Sequence, residues 1–320
     1  MINKEIIERV NKIDECYITH FSIKKAIEGI QRCILMSKSS KEPVNFLLTG
    51  DGGTGKTTAC NAVLSKYKNS FENRGDREIT VVPAFYSSVP NPVTIKGVAF
   101  SMLKSIGAPA PNRGTAIDLT YRLGRLLKEC ETQVIILDEF HHLLKKDLGK
   151  SNDVKEWLKS MINEYKVPVI LVGTPECSDI IDSDTQLARR FKYRVELINL
   201  RFGGQKKGDY RMFVEALIKL FIKEVKVNSF PDFQAQSNCL PLYAITGGNP
   251  SNTVDLIKEA VLLSLENGNE DITKEHFIQA CNNLIFPYSI TKDVNPFELS
   301  IENLNLAIRN YTKKGRVVDE

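Results

Sequence analysis

The sequence predicts an α/β fold: a parallel five-stranded sheet layered between helices, followed by a small all-α domain. Three observations carry this. Short β-rich runs alternate with helical stretches from residue 44 to about 205, the pattern of a parallel sheet covered on both faces. Two of the runs, Val134-Ile-Ile-Leu-Asp138 and Val167-Pro-Val-Ile-Leu-Val-Gly173, are almost unbroken apolar stretches suited to central strands. Beyond residue 205 the alternation stops and only helical spacing continues.

Taken in order, residues 1–40 read as a helical segment. Ile6, Val10 and Ile13, then Ile23, Ile27, Ile30 and Ile34, recur at the spacing of a core-facing stripe. An αβα domain is expected over 41–205, with strands at 44–49, 79–86, 134–138, 167–173 and 193–198. Helices are expected between them at 57–68, 94–106, 116–130 and 153–164. A helical domain follows over 206–288, with helices at 208–225, 236–246, 251–267 and 273–284. Gly-Gly-Asn-Pro at 247–250 and Glu-Asn-Gly-Asn at 266–269 break it. Residues 289–320, rich in Asn and Lys, hold one weak helical stretch (301–311) and read as a mobile tail.

Composition narrows the class. A chain of 320 residues has room for a sizeable core, and 42% hydrophobic with 26% charged residues is ordinary for a soluble protein. No apolar run approaches the roughly 20 residues needed to cross a bilayer. The N-terminus mixes charges of both signs and is no secretory signal, so a cytoplasmic location is expected. Seven scattered cysteines form no C-x-x-C pair and find no His at zinc spacing; they read as reduced thiols packed as small hydrophobes. A net charge of +4 permits a nucleic-acid partner without requiring one.

The chemistry begins at Gly50-Asp51-Gly52-Gly53-Thr54-Gly55-Lys56-Thr57, which fits G-x-x-x-x-G-K-[ST] between an expected strand and an expected helix. The glycines let the backbone curl so that its N–H groups face phosphate oxygens. The helix opening at Lys56-Thr57-Thr58 adds its partial positive charge. Lys56 is placed for the β- and γ-phosphates of ATP, and the Thr57 hydroxyl for Mg2+. The second half is Asp138-Glu139, at the end of four aliphatic residues. Asp138 would hold the magnesium beside Thr57, and Glu139 would orient and polarise the attacking water. The adjacent Glu marks an ATPase of the additional-strand type, in contrast to a nucleotide kinase or a simple GTPase. Thr174, after the strand Val169–Gly173, is a candidate sensor beside the γ-phosphate. Arg189 or Arg190 in Leu187-Ala-Arg-Arg-Phe191 is a candidate finger for a neighbouring subunit's site, with Arg190 preferred because it directly precedes Phe191.

Together these features resemble an AAA+ ATPase, a three-layer αβα P-loop core followed by a helical lid. A closer likeness lies in ILDEFHHLLKKD, NEYKVPVILVGTPE, DTQLARRF and GGNPSNTVDLI, a series that resembles the TniB/TnsC family of AAA+ regulators of targeted DNA transposition. The likeness runs from about Ser22 to about Asn283 and extends to Asn295-Pro-Phe-Glu. It implies a homo-oligomer, ring or helical filament, on double-stranded DNA in the ATP state. It also implies partners in a transposase and a target-selector protein, with hydrolysis releasing the assembly. No membrane partner is implied, and no nuclease carboxylate cluster stands beyond the ATP site. One departure is visible: such lids commonly carry a sensor Arg shortly after Gly-Asn, yet no Arg or Lys follows Gly248-Asn249 until Lys258. The lid is then expected to cover the adenine, with Tyr17 and Ile18 on its other side.

DNA contact needs cations along one line. Thr94, Lys96 and Lys104 form one candidate segment, and Lys145, Lys146 and Lys150 another. His141 and His142 are adjacent, so on a helix they diverge by about 100° and read as packing or water contacts. Two other readings share the ATPase core: a nucleotide-gated signalling or defence switch, and a helicase-loader or clamp-loader-like replication factor.

Overall fold

The computed structural model describes residues 4–311 except 74, 76–77, 145–147, 204–208, 287–288 and 292–293; of 144 and 148–151 only the placement in their helices is described. The chain divides into two compact units: Ser22–Leu197 is one, and Met1–Phe21 with Ile198–Glu320 the other.

In the first unit, helix α2 (Phe21–Ser37, built almost wholly from this unit) leads into β1 (Phe46–Gly50) and α3 (Lys56–Leu64); α1 (Lys4–Asn11) belongs to the other unit. A hairpin, β2 (Ser70–Asn73) with β3 (Glu78–Val81), precedes β4 (Ala84–Ser88). Then come α4 (Ile95–Ser105), α5 (Ala116–Glu129), β5 (Val134–Asp138) and a 3-10 turn over Phe140–Leu144. The unit ends with α6 (Leu148–Tyr165), β6 (Val169–Gly173), α7 (Cys177–Asp182), α8 (Thr185–Arg190) and β7 (Tyr193–Leu197). Five strands form one sheet in the order β4-β5-β6-β1-β7, every pair parallel.

Alternation along the strands divides the core into two layers. Leu47, Ile135, Leu137, Val169 and Leu171 face a core shared with α4, α5 and α6. Phe46, Leu48, Val134, Ile136, Ile170 and Val172 face the opposite layer, where α2 contributes Ile23, Ile30 and Ile34 and α3 contributes Ala59, Cys60 and Val63. Both faces are therefore sealed, as the unbroken apolar runs require.

The strand expected at 79–86 is instead two. Val81 ends β3, Pro83 interrupts, and only Ala84–Ser88 joins the sheet. Proline has no N–H to give a ladder; its carbonyl accepts from the N–H groups of Gln133 (2.7 Å) and Val134 (3.2 Å) as the sheet begins.

The second unit is helical and is assembled from both ends of the chain. Helix α9 (Asp209–Leu220) runs on into a π turn over Phe221–Val225, followed by α10 (Gln236–Thr246), α11 (Pro250–Glu266), α12 (Lys274–Asn283) and α13 (Ile301–Tyr311). Val10 and Ile13 are buried among Leu217, Phe221, Val225 and Val261. Arg9 donates to the Val225 carbonyl (2.5 Å) and the Lys226 carbonyl (2.7 Å) and pairs with Glu270 at 3.0 Å. Residues 1–40, one helical segment by periodicity, are thus divided at Phe21/Ser22 between the two units. Where composition alone points to a mobile tail from 289, Phe297 is 3% exposed and stacks on Phe277, and Leu304 packs on Leu240 and Ala244. Six of the seven cysteines are buried and all are free thiols. Burial pushes Cys33 up to about 11, and Cys60, Cys177, Cys239 and Cys281 up to about 12, so they act as small apolar groups. Among the described residues no helix is long and apolar enough to cross a membrane.

Candidate functional site

Parallel strands put all their carboxyl ends on one edge, and that edge is where loops of such sheets gather functional groups. Here β1 delivers Gly50, β5 delivers Asp138 and Glu139, and β6 delivers Gly173 and Thr174. Strand β6 lies between β1 and β5. This separation of the phosphate strand from the acidic strand is the layout expected of an additional-strand ATPase.

The loop from Gly50 to Gly55 curls tightly. Gly50, Gly53 and Gly55 have φ of 153°, 77° and 99°. At Gly55 a β-carbon would also lie 2.7 Å from the Ile23 side chain, and at Gly50 one would lie 2.3 Å from the Leu197 carbonyl oxygen. Only glycine satisfies both the dihedral and the space. Thr54 is fully buried, its hydroxyl donating to the Asp51 carbonyl at 2.8 Å, which closes the loop. Helix α3 starts at Lys56 with Gly55 as N-cap and no capping side chain. Its first-turn N–H groups therefore stay open toward the loop, as a phosphate cradle requires. The Lys56 ammonium donates to the carbonyls of Gly50 (2.7 Å) and Asp51 (2.8 Å), which holds it at the loop's mouth. Thr57 is exposed and Thr58 half-buried on that first turn, while Asp51, Gly52 and Gly53 are exposed.

Asp138 is 6% exposed. Its carboxylate accepts from the Tyr86 hydroxyl and, at 2.7 Å, from the Glu139 N–H. Burial together with the hydrogen bond to Asp138 raises Tyr86 far above an ordinary phenol, so it remains a donor. Tyr86 is a residue that sequence reasoning missed. The parallel register pairing Tyr86 with Ile136 and Ser88 with Asp138 places β4 beside the acidic strand end, and nothing in a single sequence announces that pairing.

Two thiols show that these groups share one field. Burial dominates the rise at Cys60, and the Asp138 carboxylate adds to it while Lys56 opposes it. At Cys177 burial again dominates, and Lys56 and the Thr174 hydrogen bonds oppose it. The Thr174 hydroxyl bonds the Glu176 carboxylate and lowers its pKa. Thr57 and Asp138 offer oxygen donors only, the chemistry that a magnesium ion takes.

Glu139 has φ of 59°. The left-handed conformation costs a non-glycine residue about 1 kcal/mol and turns the chain from β5 into the 3-10 turn. Its side chain is 45% exposed and lies beside both histidines, with Oε2 at 3.2 Å from His141 Nε2 and 3.7 Å from His142 Nε2. The two rings, read from the sequence as packing or water contacts, stand 4.7 Å apart between centroids, and the Glu139 carboxylate lies against both.

Arg190 is half-buried and donates to Asn163 Oδ1 (2.6 Å) and the Gln186 carbonyl (3.3 Å). Arg189 is exposed at the end of α8, with no partner among the described residues. Lys258 is bound by Asp14 at 2.7 and 2.9 Å. Tyr17, 54% exposed, and Ile18, packed on the helical core, both belong to the second unit. Thr94 caps α4, its hydroxyl accepting from Gly97 N–H at 3.0 Å, and Lys96 and Lys104 are exposed along that helix. Lys145 and Lys146 lie outside the described residues, as does the side chain of Lys150 in α6.

A five-stranded parallel sheet of this order, with a glycine-rich loop, a buried Asp and a half-buried Glu at its carboxyl edge, defines the AAA+ class of P-loop ATPases. Comparison with known proteins narrows that class. The chain belongs to the bacterial TniB protein family, whose model matches residues 9–197. It is 22% identical over 259 residues to an ORC1-type DNA replication protein of Desulfurococcus amylolyticus, covering 79% of this chain and 62% of that one. The chain therefore spans less than two thirds of that relative's length. Among solved structures it is similar to the Aeropyrum pernix ORC2 protein, with a TM-score of 0.62 at 14% identity over 95% of this chain and 89% of that one. It is also similar to the Aeropyrum pernix ORC1 protein in complex with DNA, with a TM-score of 0.55 at 16% identity over 83% and 66% of the two chains. The Thermotoga maritima RuvB Holliday junction branch migration motor gives a TM-score of 0.52 at 16% identity over 93% and 78%. These likenesses establish the fold.

Proposed function

We propose that the chain is an ATP- and magnesium-dependent regulator that assembles on duplex DNA, links target-site selection to a transposase and disassembles on hydrolysis. The enzymatic half rests on one observation above all: Glu139, half-buried and adjacent to a buried Asp138, stands at the end of a strand separated from the phosphate strand only by β6. The open first-turn N–H groups of α3 and the Lys56 ammonium bind the phosphates of ATP. Thr57 and Asp138 hold the magnesium ion, which neutralises phosphate charge when bound. Glu139 accepts a proton from the attacking water. Thr174 reads the γ-phosphate through its hydroxyl, and Tyr86 keeps Asp138 in place.

The finger role falls to the Arg189–Arg190 pair, and here the preference from sequence changes. Arg190 is engaged within its own chain by Asn163 and the Gln186 carbonyl, whereas Arg189 is exposed and free to reach a neighbouring subunit. Lys258, held by Asp14, does not substitute for the lid arginine.

The DNA half draws on family membership, and the exposed Lys96 and Lys104 are its contacts on this chain. Such contacts with backbone phosphates carry no sequence information, so coating of DNA should show little base preference. The likeness to ORC1-type proteins supports one second reading, a replication-type loader. Electron microscopy of the purified chain with duplex DNA separates the two. Rings or filaments with a slowly hydrolysed ATP analogue, and none with ADP, support the transposition regulator. Single particles under both conditions favour a loader whose partner is a protein.

A further inference from the structure

The turn after β5 sets Glu139 against two histidines that ATP hydrolysis does not use. One ligand atom each from Glu139, His141 and His142 lies within 4.8 Å of the others. The rings are 4.7 Å apart between centroids, and their side chains are 26% and 18% exposed, open enough for an ion to enter. His142 Nδ1 lies 2.8 Å from the Val89 carbonyl. A carbonyl can only accept, so Nδ1 carries a proton and Nε2 is the ring nitrogen left to act as a ligand. That nitrogen lies 3.7 Å from Glu139 Oε2, close enough for both to ligate one cation. A second ring nitrogen tied to a backbone carbonyl is also the usual support of a metal-binding histidine. A tetrahedral ion about 2 Å from each ligand sets them roughly 3.3 Å apart. The Glu139–His141 and Glu139–His142 separations, 3.2 and 3.7 Å, match this with small side-chain adjustment.

We propose that Glu139, His141 and His142 form a binding site for a divalent transition-metal ion of the zinc class, and that its occupation withdraws Glu139 from water activation. Imidazole ligands select zinc, cobalt, nickel or copper, and magnesium takes oxygen ligands, so this site and the Thr57–Asp138 pair differ in the ion they prefer. Binding rests on the geometry alone; the inhibitory consequence rests on the role given to Glu139 above.

Cobalt(II) is the probe, added to the full nucleotide-free chain and followed by its visible d–d absorption. One cobalt per chain should bind, be displaced by zinc and resist excess magnesium. His141→Gln and His142→Gln should each weaken binding by about 10–100-fold or more, and His276→Gln should leave it unchanged. A visible band that survives in the double variant His141→Gln/His142→Gln overturns the site, as does the lack of any band in the wild type. Should the double variant not fold, Glu139→Gln serves instead, because that side chain is 45% exposed and its loss should weaken cobalt binding similarly. Zinc should inhibit ATP hydrolysis in saturating magnesium, and His142→Gln should need about tenfold more zinc for the same inhibition. Zinc bound without inhibition overturns the second half. A chain that binds cobalt yet never hydrolyses ATP refutes the role of Glu139 and leaves the metal site standing.

Discussion

Asp138 and Glu139 are neighbours with opposite surroundings, and their roles follow from that contrast. Asp138 is buried and held by two donors; Glu139 is half-buried, with a left-handed backbone and its carboxylate beside two histidines. Glu139→Gln keeps the shape but cannot take a proton. It should lower hydrolysis by about 100-fold or more while ATP still binds, as steady-state turnover and a nucleotide-binding titration can check. Hydrolysis at the wild-type rate would sink the assignment. Tyr86→Phe tests the residue that only the structure revealed. Losing the hydroxyl leaves a buried carboxylate short of a donor, at a cost of about 1–3 kcal/mol. Denaturant unfolding should show that loss, and hydrolysis should need more magnesium. At the finger pair, Arg189→Ala should abolish hydrolysis in the assembly and spare nucleotide binding by the monomer; the same result from Arg190→Ala alone would return the role to Arg190.

At the scale of elements, helix α8 depends on Asp184. Its Oδ1 accepts from the N–H groups of Gln186 (2.9 Å) and Leu187 (3.0 Å), and its Oδ2 from Lys159 at 2.9 Å. Burial alone would raise this carboxyl's pKa, but the hydrogen bonds from Lys159 and the two backbone N–H groups outweigh it and hold it below the ordinary value. A depressed folded pKa contributes stability above the unfolded value, near 3.9, and loses it as pH falls through the folded one. Asp184→Asn should therefore flatten the acid limb of the stability–pH curve; an unchanged acid limb would show that the cap contributes no linkage. The loop before α3 is constrained by backbone shape. Gly55→Ala should cost about 1–2 kcal/mol through its positive φ alone, and more through the Ile23 contact, measured by unfolding without nucleotide.

At the scale of the whole molecule, two units carry separate cores, and one of them closes only when distant segments meet. Phe297 fills a space beside Phe277 and Phe233 in the helical unit. Phe297→Ala should destabilise that unit by about 3–5 kcal/mol. Trp157, the single tryptophan, lies in α6 of the sheet unit, so its fluorescence reports that unit alone. The variant should advance the loss of helical circular dichroism more than the change in tryptophan fluorescence. Equal shifts in both signals would mean that the two units unfold as one.

What the sequence determined by itself was whatever local chemistry dictates. The glycines at 50, 53 and 55 followed by Lys56-Thr57 specify a curled loop opening a helix, because few other residues accept those dihedrals. Four aliphatics before Asp138-Glu139 specify a buried strand with charges at its end, and the TniB likeness was readable from short motifs around these points. Periodicity located the main helices because one apolar stripe must face a core. Tertiary structure alone decided what depends on groups far apart in the chain. It set β4 beside β5, so that Tyr86 reaches Asp138 across 52 positions. It divided the first forty residues, since the burial of Val10 and Ile13 awaited partners some 200 positions later. It also set Glu139 against His141 and His142, because a single left-handed φ at residue 139 turns the chain sharply where β5 passes into the 3-10 turn.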